Sequence, residues 1–211
     1  MMVSITRCLK KLQPDWLVWL LMVVLLGMAC GPVRAQSAPL ESPILKIERS
    51  DDGLLLSTQL AFELPGVVED ALLKGIPIYF VAEVDVLRER WYWTNRKLIA
   101  VQRHMRLAYQ PLTRRWRLNV GSGEISALAQ GLALNQNFEN VQDAMAAVRR
   151  IVHWRIADTA DIEGGVKHII DFRFRLDVAQ LPRPLQIGTL GQSDWQIGLS
   201  ATQTLGAEAG K

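Results

Sequence analysis

The sequence predicts a mainly β (α+β) chain: an antiparallel β-sandwich or a strongly curled sheet of about eight or nine strands, with two helical insertions. Three observations predict it. Apolar side chains recur at every second position through 54–62, 76–86 and 166–178, interrupted on that face only by Thr58 and His168, the period of a strand with one face in a core. Turn residues such as Asp51-Asp52-Gly53 and Gln110-Pro111 separate these stretches. Helical spacing is confined to two short segments and does not alternate one-for-one with strands, as a doubly wound parallel sheet would require. No internal repeat is visible.

The chain opens on a leader. Arg7, Lys10 and Lys11 precede the apolar run Trp16–Ala29, and Val33-Arg34-Ala35 offers a small-x-small cleavage site before Gln36. That run makes about 21 Å of helix, short for a hydrocarbon core of about 30 Å. A cleaved signal peptide over 1–35 is therefore expected, with a retained single-pass anchor as the alternative. Cys30 adds a lipid-anchored form as a third, although Gly27-Met28-Ala29 suits it poorly. A flexible tether over 36–43, a single β-rich domain over 44–204 and a disordered tail over 205–211 complete the predicted organisation.

Ile44–Arg49 and Leu54–Phe62 read as a hairpin about the Asp51-Asp52-Gly53 turn, with Leu54, Leu56, Thr58, Leu60 and Phe62 on one face. Leu64-Pro65 opens a short helix with Val67, Val68, Ala71 and Leu72 in a stripe, stopped by Gly75. Ile76–Trp93 follows as the longest strand, returned by Lys97–Tyr109 after a turn at Thr94-Asn95-Arg96. In the return strand Arg103 interrupts the apolar face, which predicts a bulge or a side chain reaching the rim. Arg114–Val120 is the next strand.

Glu124–Leu134 fits a strand and turn or a short helix equally. Asn137–Arg150 is the second helix, with Phe138, Val141, Met145 and Val148 on its stripe. Ile151–Ala157 is a strand with Val152, Trp154 and Ile156 on one face. In Val166–Val178 the polar face carries Asp171, Arg173, Arg175 and Asp177, material for solvated cross-strand pairing. Leu181-Pro182-Arg183-Pro184-Leu185 reads as a rigid crossover, and Trp195–Ala201 as the last strand.

Composition narrows the function. The formal net charge is +3, and the leader holds four cations against Asp15, so the mature chain is neutral. It lacks the concentrated basic footprint of a nucleic-acid binder. Both cysteines, Cys8 and Cys30, lie in the leader, so no disulfide or thiolate is available to the exported domain.

Several stretches together carry a family resemblance. They are Phe62-Glu63-Leu64-Pro65, Glu69 through Ile78, Arg90-Trp91-Tyr92-Trp93, Arg106 through Leu112, Leu176-Asp177, Leu181 through Gln186 and Asp194-Trp195. Spread over nearly all of the mature chain, they make it resemble the exported proteobacterial proteins built on domain of unknown function 4390. The resemblance brings no activity to any residue. It implies an exported protein and, through members encoded beside membrane sensor kinases, a weak link to envelope signalling.

The residues themselves offer little catalytic machinery. There is no Gly-x-Ser-x-Gly elbow and no His-Glu-x-x-His spacing, so neither a nucleophile nor a metal is predicted, and no cofactor. His104 is expected at the surface and His168 buried. Glu83 and Asp85 share a strand face, as a carboxylate pair in a hydrolase cleft would. The acids of Asp51-Asp52-Gly53 and Asp158–Glu163 read as solvated turns.

The cluster with most chemistry is Arg88, Arg90, Trp91, Tyr92 and Trp93, where arginine can stack on tryptophan and rim a binding groove. Its tryptophans and the Arg90 guanidinium are expected to close against the core. Trp116, Trp154 and Trp195 are expected within it. The function read from the sequence is a non-enzymatic binding or accessory domain of the periplasm, with an envelope or inner-membrane protein as partner. Membrane association through the N-terminus and an inner-membrane location are its anchored variant. Alternatives are a metal-independent hydrolase with a polar pocket at Glu83 or Asp85, or a lipid carrier with a cavity lined by Phe172, Phe174, Trp154 and Trp116.

Overall fold

A computed structural model describes residues 42–51, 53–90, 92, 95–122, 134–162, 166–189 and 195–206. Among these residues nine strands lie in two antiparallel sheets. The three-stranded sheet joins β1 (Leu45–Ser50), β2 (Gly53–Gln59) and β7 (Arg150–Ala157) in the order β1-β2-β7. The other six are β3 (Ile78–Arg88), β4 (Arg96–Gln110), β5 (Arg115–Ser122), β6 (Leu134–Phe138), β8 (His168–Leu176) and β9 (Gly198–Leu205), ordered β6-β5-β4-β3-β8-β9. Three α-helices, α1 (Gly66–Leu73), α2 (Val141–Arg149) and α3 (Arg183–Thr189), and two 3-10 turns complete the described elements.

This corrects the predicted fold class. The strands form two separate sheets of unequal size, neither closed nor strongly curled, and the helical insertions number more than two. The extra helix comes from the segment expected to be a rigid crossover. There Leu185 and Gln186 donate backbone hydrogen bonds to the Pro182 carbonyl, at 2.9 and 3.2 Å. Proline is favourable in a first helical turn because its missing N–H has no intrahelical partner to lose. The stretch 123–133, left open between strand and helix, lies outside the described residues.

Period-two burial holds both sheets. On β3, Ile78, Phe80, Ala82, Val84 and Val86 are all buried, and on β8 His168, Ile170, Phe172, Phe174 and Leu176 face the same way. They meet Leu54, Leu56, Leu60, Ile151, Trp154 and Ile156 of the smaller sheet and its flanks in one continuous hydrophobic cluster. Phe62, just beyond β2, packs its ring 5.3 Å from Phe174 and 6.1 Å from Phe80. Three rings thus join the two sheets. α1 adds Val68, Ala71 and Leu72 to this core, while Val67, expected in the same stripe, is exposed.

At β7 the alternation breaks. His153 sits at φ 45°, and the β2–β7 register shifts between Leu56 and Thr58, so an extra residue of β7 is accommodated there. The His153 N–H donates to the Ser57 hydroxyl at 3.0 Å, which satisfies the group the bulge removes from the ladder. The bulge turns Val152 outward, to 41% exposure, whereas a regular strand would bury it beside Trp154. Left-handed backbone strains a histidine. His153→Gly is expected to be neutral or to stabilise by about 0.5–1 kcal/mol in urea unfolding, strain relief offsetting the entropy of the glycine.

Candidate functional site

Of the Arg88–Trp93 motif, Arg88 ends the strand, and the described residues Glu89, Arg90 and Tyr92 lie beyond it at the end of the longest hairpin. β3 stops at Arg88, which lies opposite Arg96 of β4 and His168 of β8. The Glu89 N–H still reaches the Lys167 carbonyl at 3.2 Å, and beyond it the chain leaves the sheet. β3 is an interior strand, so this connection projects from the middle of one end of the six-stranded sheet.

Arg88 is half-buried and Arg90 exposed, against the expectation that the Arg90 guanidinium closes on the core. Tyr92 is 68% exposed. Trp91 and Trp93 lie outside the described residues. Arg96 and Lys167, which the sequence did not single out, are also exposed here. This end of the hairpin therefore carries the exposed cations Arg90, Arg96 and Lys167 and the half-buried Arg88, with Glu89 as an acid between Arg88 and Arg90. The signal that could have found the two additional cations is the pairing of strand ends, which depends on long-range register.

The second candidate, Glu83 with Asp85, occupies the outward face of β3. Asp85 is buried beneath two cations: Arg173 at 2.6 Å and Lys97 at 2.7 Å. Glu83 accepts from Arg175 at 3.1 Å, lies 3.8 Å from Arg173, and accepts from Gln102 at 3.4 Å. Arg173 and Arg175 also approach Asp171 of their own strand and Asp177 just beyond it, at 3.8 and 3.6 Å. The alternating charges of β8 are thus cross-strand pairing material, as expected. Both acids of the pair are engaged by cations, an arrangement that neutralises them and offers no acid–base relay.

His104 corrects the surface placement expected for it: it is 6% exposed, on the same outward face, 3.4 Å from Gln102. Neighbouring long side chains cover the centre of this face; Arg106 donates to the Tyr79 hydroxyl at 3.3 Å. His168 is buried, as expected, and His153 is exposed at the bulge. None of the three described cavities is lined by Glu83, Asp85 or a histidine. Removing the Asp85 charge with Asp85→Asn is expected to cost about 1–2 kcal/mol in urea unfolding, less at high salt, because Arg173 and Lys97 remain half exposed.

None of the three described cavities is lined by Phe172, Phe174, Trp154 or Trp116, where a carrier's cavity was expected. Phe172 and Phe174 are closed into the core, and Trp116, Trp154 and Trp195 are buried as predicted. Arg103, expected to make a bulge or reach the rim, stays in register opposite Ala82, on the inward face. Its guanidinium lies 4.7 Å over the Trp154 ring, and burial lowers its pKa from the ordinary value.

Among the described residues no cluster of histidine, cysteine or carboxylate side chains could hold a metal ion, and residues 36–211 contain no cysteine. Fold and site together define a β-rich domain without an evident metal- or cysteine-based catalytic centre. The chain belongs to the family of domain of unknown function DUF4390, whose model matches residues 38–205. No curated protein and no solved structure matches it.

The anchored variant of the sequence reading is corrected. Among the described residues no helix is long and apolar enough to cross a membrane, and the leader run Trp16–Ala29 lies outside them. The inner-membrane location, the N-terminal anchor and the membrane partner built on them therefore have no support in the structure.

Proposed function

We propose that this domain is a non-catalytic binding module that takes an acidic protein segment at the β3–β4 hairpin end. The observation that carries the reading is Tyr92, 68% exposed and flanked by the exposed Arg90 and Arg96. Tyrosine and arginine are the residue types that concentrate binding energy at interfaces, and exposed cations steer an acidic partner into register. The six-stranded sheet behind the motif holds β3 and β4, the two strands that flank it. The network around Glu83 and Asp85 supports the non-catalytic side of the proposal, since both acids already have cationic partners.

Fluorescence anisotropy with labelled peptides of mixed glutamate and phenylalanine tests it. Saturable, salt-sensitive binding is expected, weakened about tenfold or more by Tyr92→Ala combined with Arg90→Glu, without a matching fall in melting temperature. Equal binding of the corresponding lysine–phenylalanine peptides would reject the acidic partner.

A further inference from the structure

We infer that a second, separate site takes an apolar monocarboxylate of fatty-acid type, in the groove where α2 and β7 meet the inward face of the six-stranded sheet. The groove holds about 470 Å³, within the range of small-molecule sites. Its apolar walls include Met105, Leu118 and Val120 of the sheet, Leu134 of β6, and Ile151 and Val152 of β7. Two cations, Arg103 and Arg150, are set into this lining.

The charge balance of the groove points to an anion. Neither arginine forms an ion pair, and neither guanidinium donates a hydrogen bond, to any described residue. Arg103 is stacked on Trp154 at 4.7 Å and partly desolvated, so its charge is held away from water without a counter-charge among the described residues. Stacking uses the face of a guanidinium and leaves its in-plane N–H groups to a ligand. A carboxylate fits that fork, and it relieves the cost of a buried unpaired charge.

The rest of the surface favours a chain of hydrocarbon behind that carboxylate. Leu134 and Val152, 63% and 41% exposed, both line the groove, and Val152 is there because the His153 bulge turns it outward. A neighbouring cavity of about 680 Å³ shares Arg150, Ile151 and Val152 with the groove and is bordered by Ile44, itself 80% exposed. Exposed apolar side chains thus continue from the cations across the β7 bulge. A ligand with its charge at Arg103 and Arg150 and its chain over Val152 covers both.

Calorimetric titration of the purified protein with decanoate, decanol and acetate tests the assignment. Decanoate is expected to bind one-to-one, about tenfold or more tighter than decanol, with acetate not saturating. Arg150→Gln, at an exposed side chain, and Arg103→Gln are each expected to weaken decanoate about tenfold, with binding of decanol little changed. Arg150→Gln keeps the test decisive should Arg103→Gln lose stability with its contact to Trp154. Equal affinities for decanoate and decanol overturn the assignment, as do Arg150→Gln binding like the parent and absence of saturation below the micellar range of decanoate.

Discussion

Phe174→Ala is expected to lower stability by about 3–5 kcal/mol, a fall in melting temperature of roughly 10 °C or more for a domain of this size. The side chain is 1% exposed, its ring is stacked on Phe80 at 5.7 Å, and Phe62 lies 5.3 Å away. Truncation removes the apolar area and leaves a cavity lined by two rings that β3 and the segment after β2 hold apart. The three rings link the larger sheet to the smaller, so the loss falls on the joint between them. Urea unfolding measures it, and a cost below about 1 kcal/mol would mean that the rings do not share a core.

Gly53→Ala is the second substitution expected to have a large effect. Gly53 opens β2 opposite Ser50 with φ 125°, a conformation open to glycine and scarcely to other residues. A methyl group there would stand 2.0 Å from the Ala157 carbonyl oxygen, so backbone of β7 must move. A loss of about 3 kcal/mol or more is expected. Hydrogen exchange locates the damage: amides of β1, β2 and β7 should lose protection ahead of β3, β4 and β8. Uniform loss across both sheets would show that the smaller sheet has no separate opening.

How far these features were legible in the sequence depended on whether their cause is local. The inward faces of β3 and β8 could be read directly, because burial every second residue writes itself into the order of side chains. The choice between a sandwich and one curled sheet, and the assignment of each strand to its sheet, could not, since both rest on pairings such as Leu56 with Trp154 that no local pattern records. Val152 was misplaced for a related reason: its direction is set by the bulge at His153, which the Ser57 hydroxyl stabilises across the sheet.

His104 is buried on an outward face because that face belongs to interior strands of a sheet and carries long side chains. Pattern alone marks such a position as solvated. Arg103 was visible as an exception on an apolar face, but its partner Trp154 comes from the other sheet. The end of β3 was read too late in the chain because Arg88–Trp93 has β propensity, whereas the described pairing of β3 ends at Arg88, opposite Arg96 and His168.

Two parts of the six-stranded sheet differ in their surroundings. Glu83 and Asp85, the best acid pair in the sequence, are bound into ion pairs across β3, β4 and β8. Arg90, Tyr92 and Arg96 are exposed at the β3–β4 hairpin end. Binding at that end is the central claim, and site-specific photocrosslinking in intact cells tests it most directly. With a photoreactive residue at Tyr92, one reproducible protein adduct is expected, lost on Arg90→Glu and absent when the same residue replaces the exposed Glu48 of β1. Adducts equal at both positions, or none at Tyr92, would contradict it.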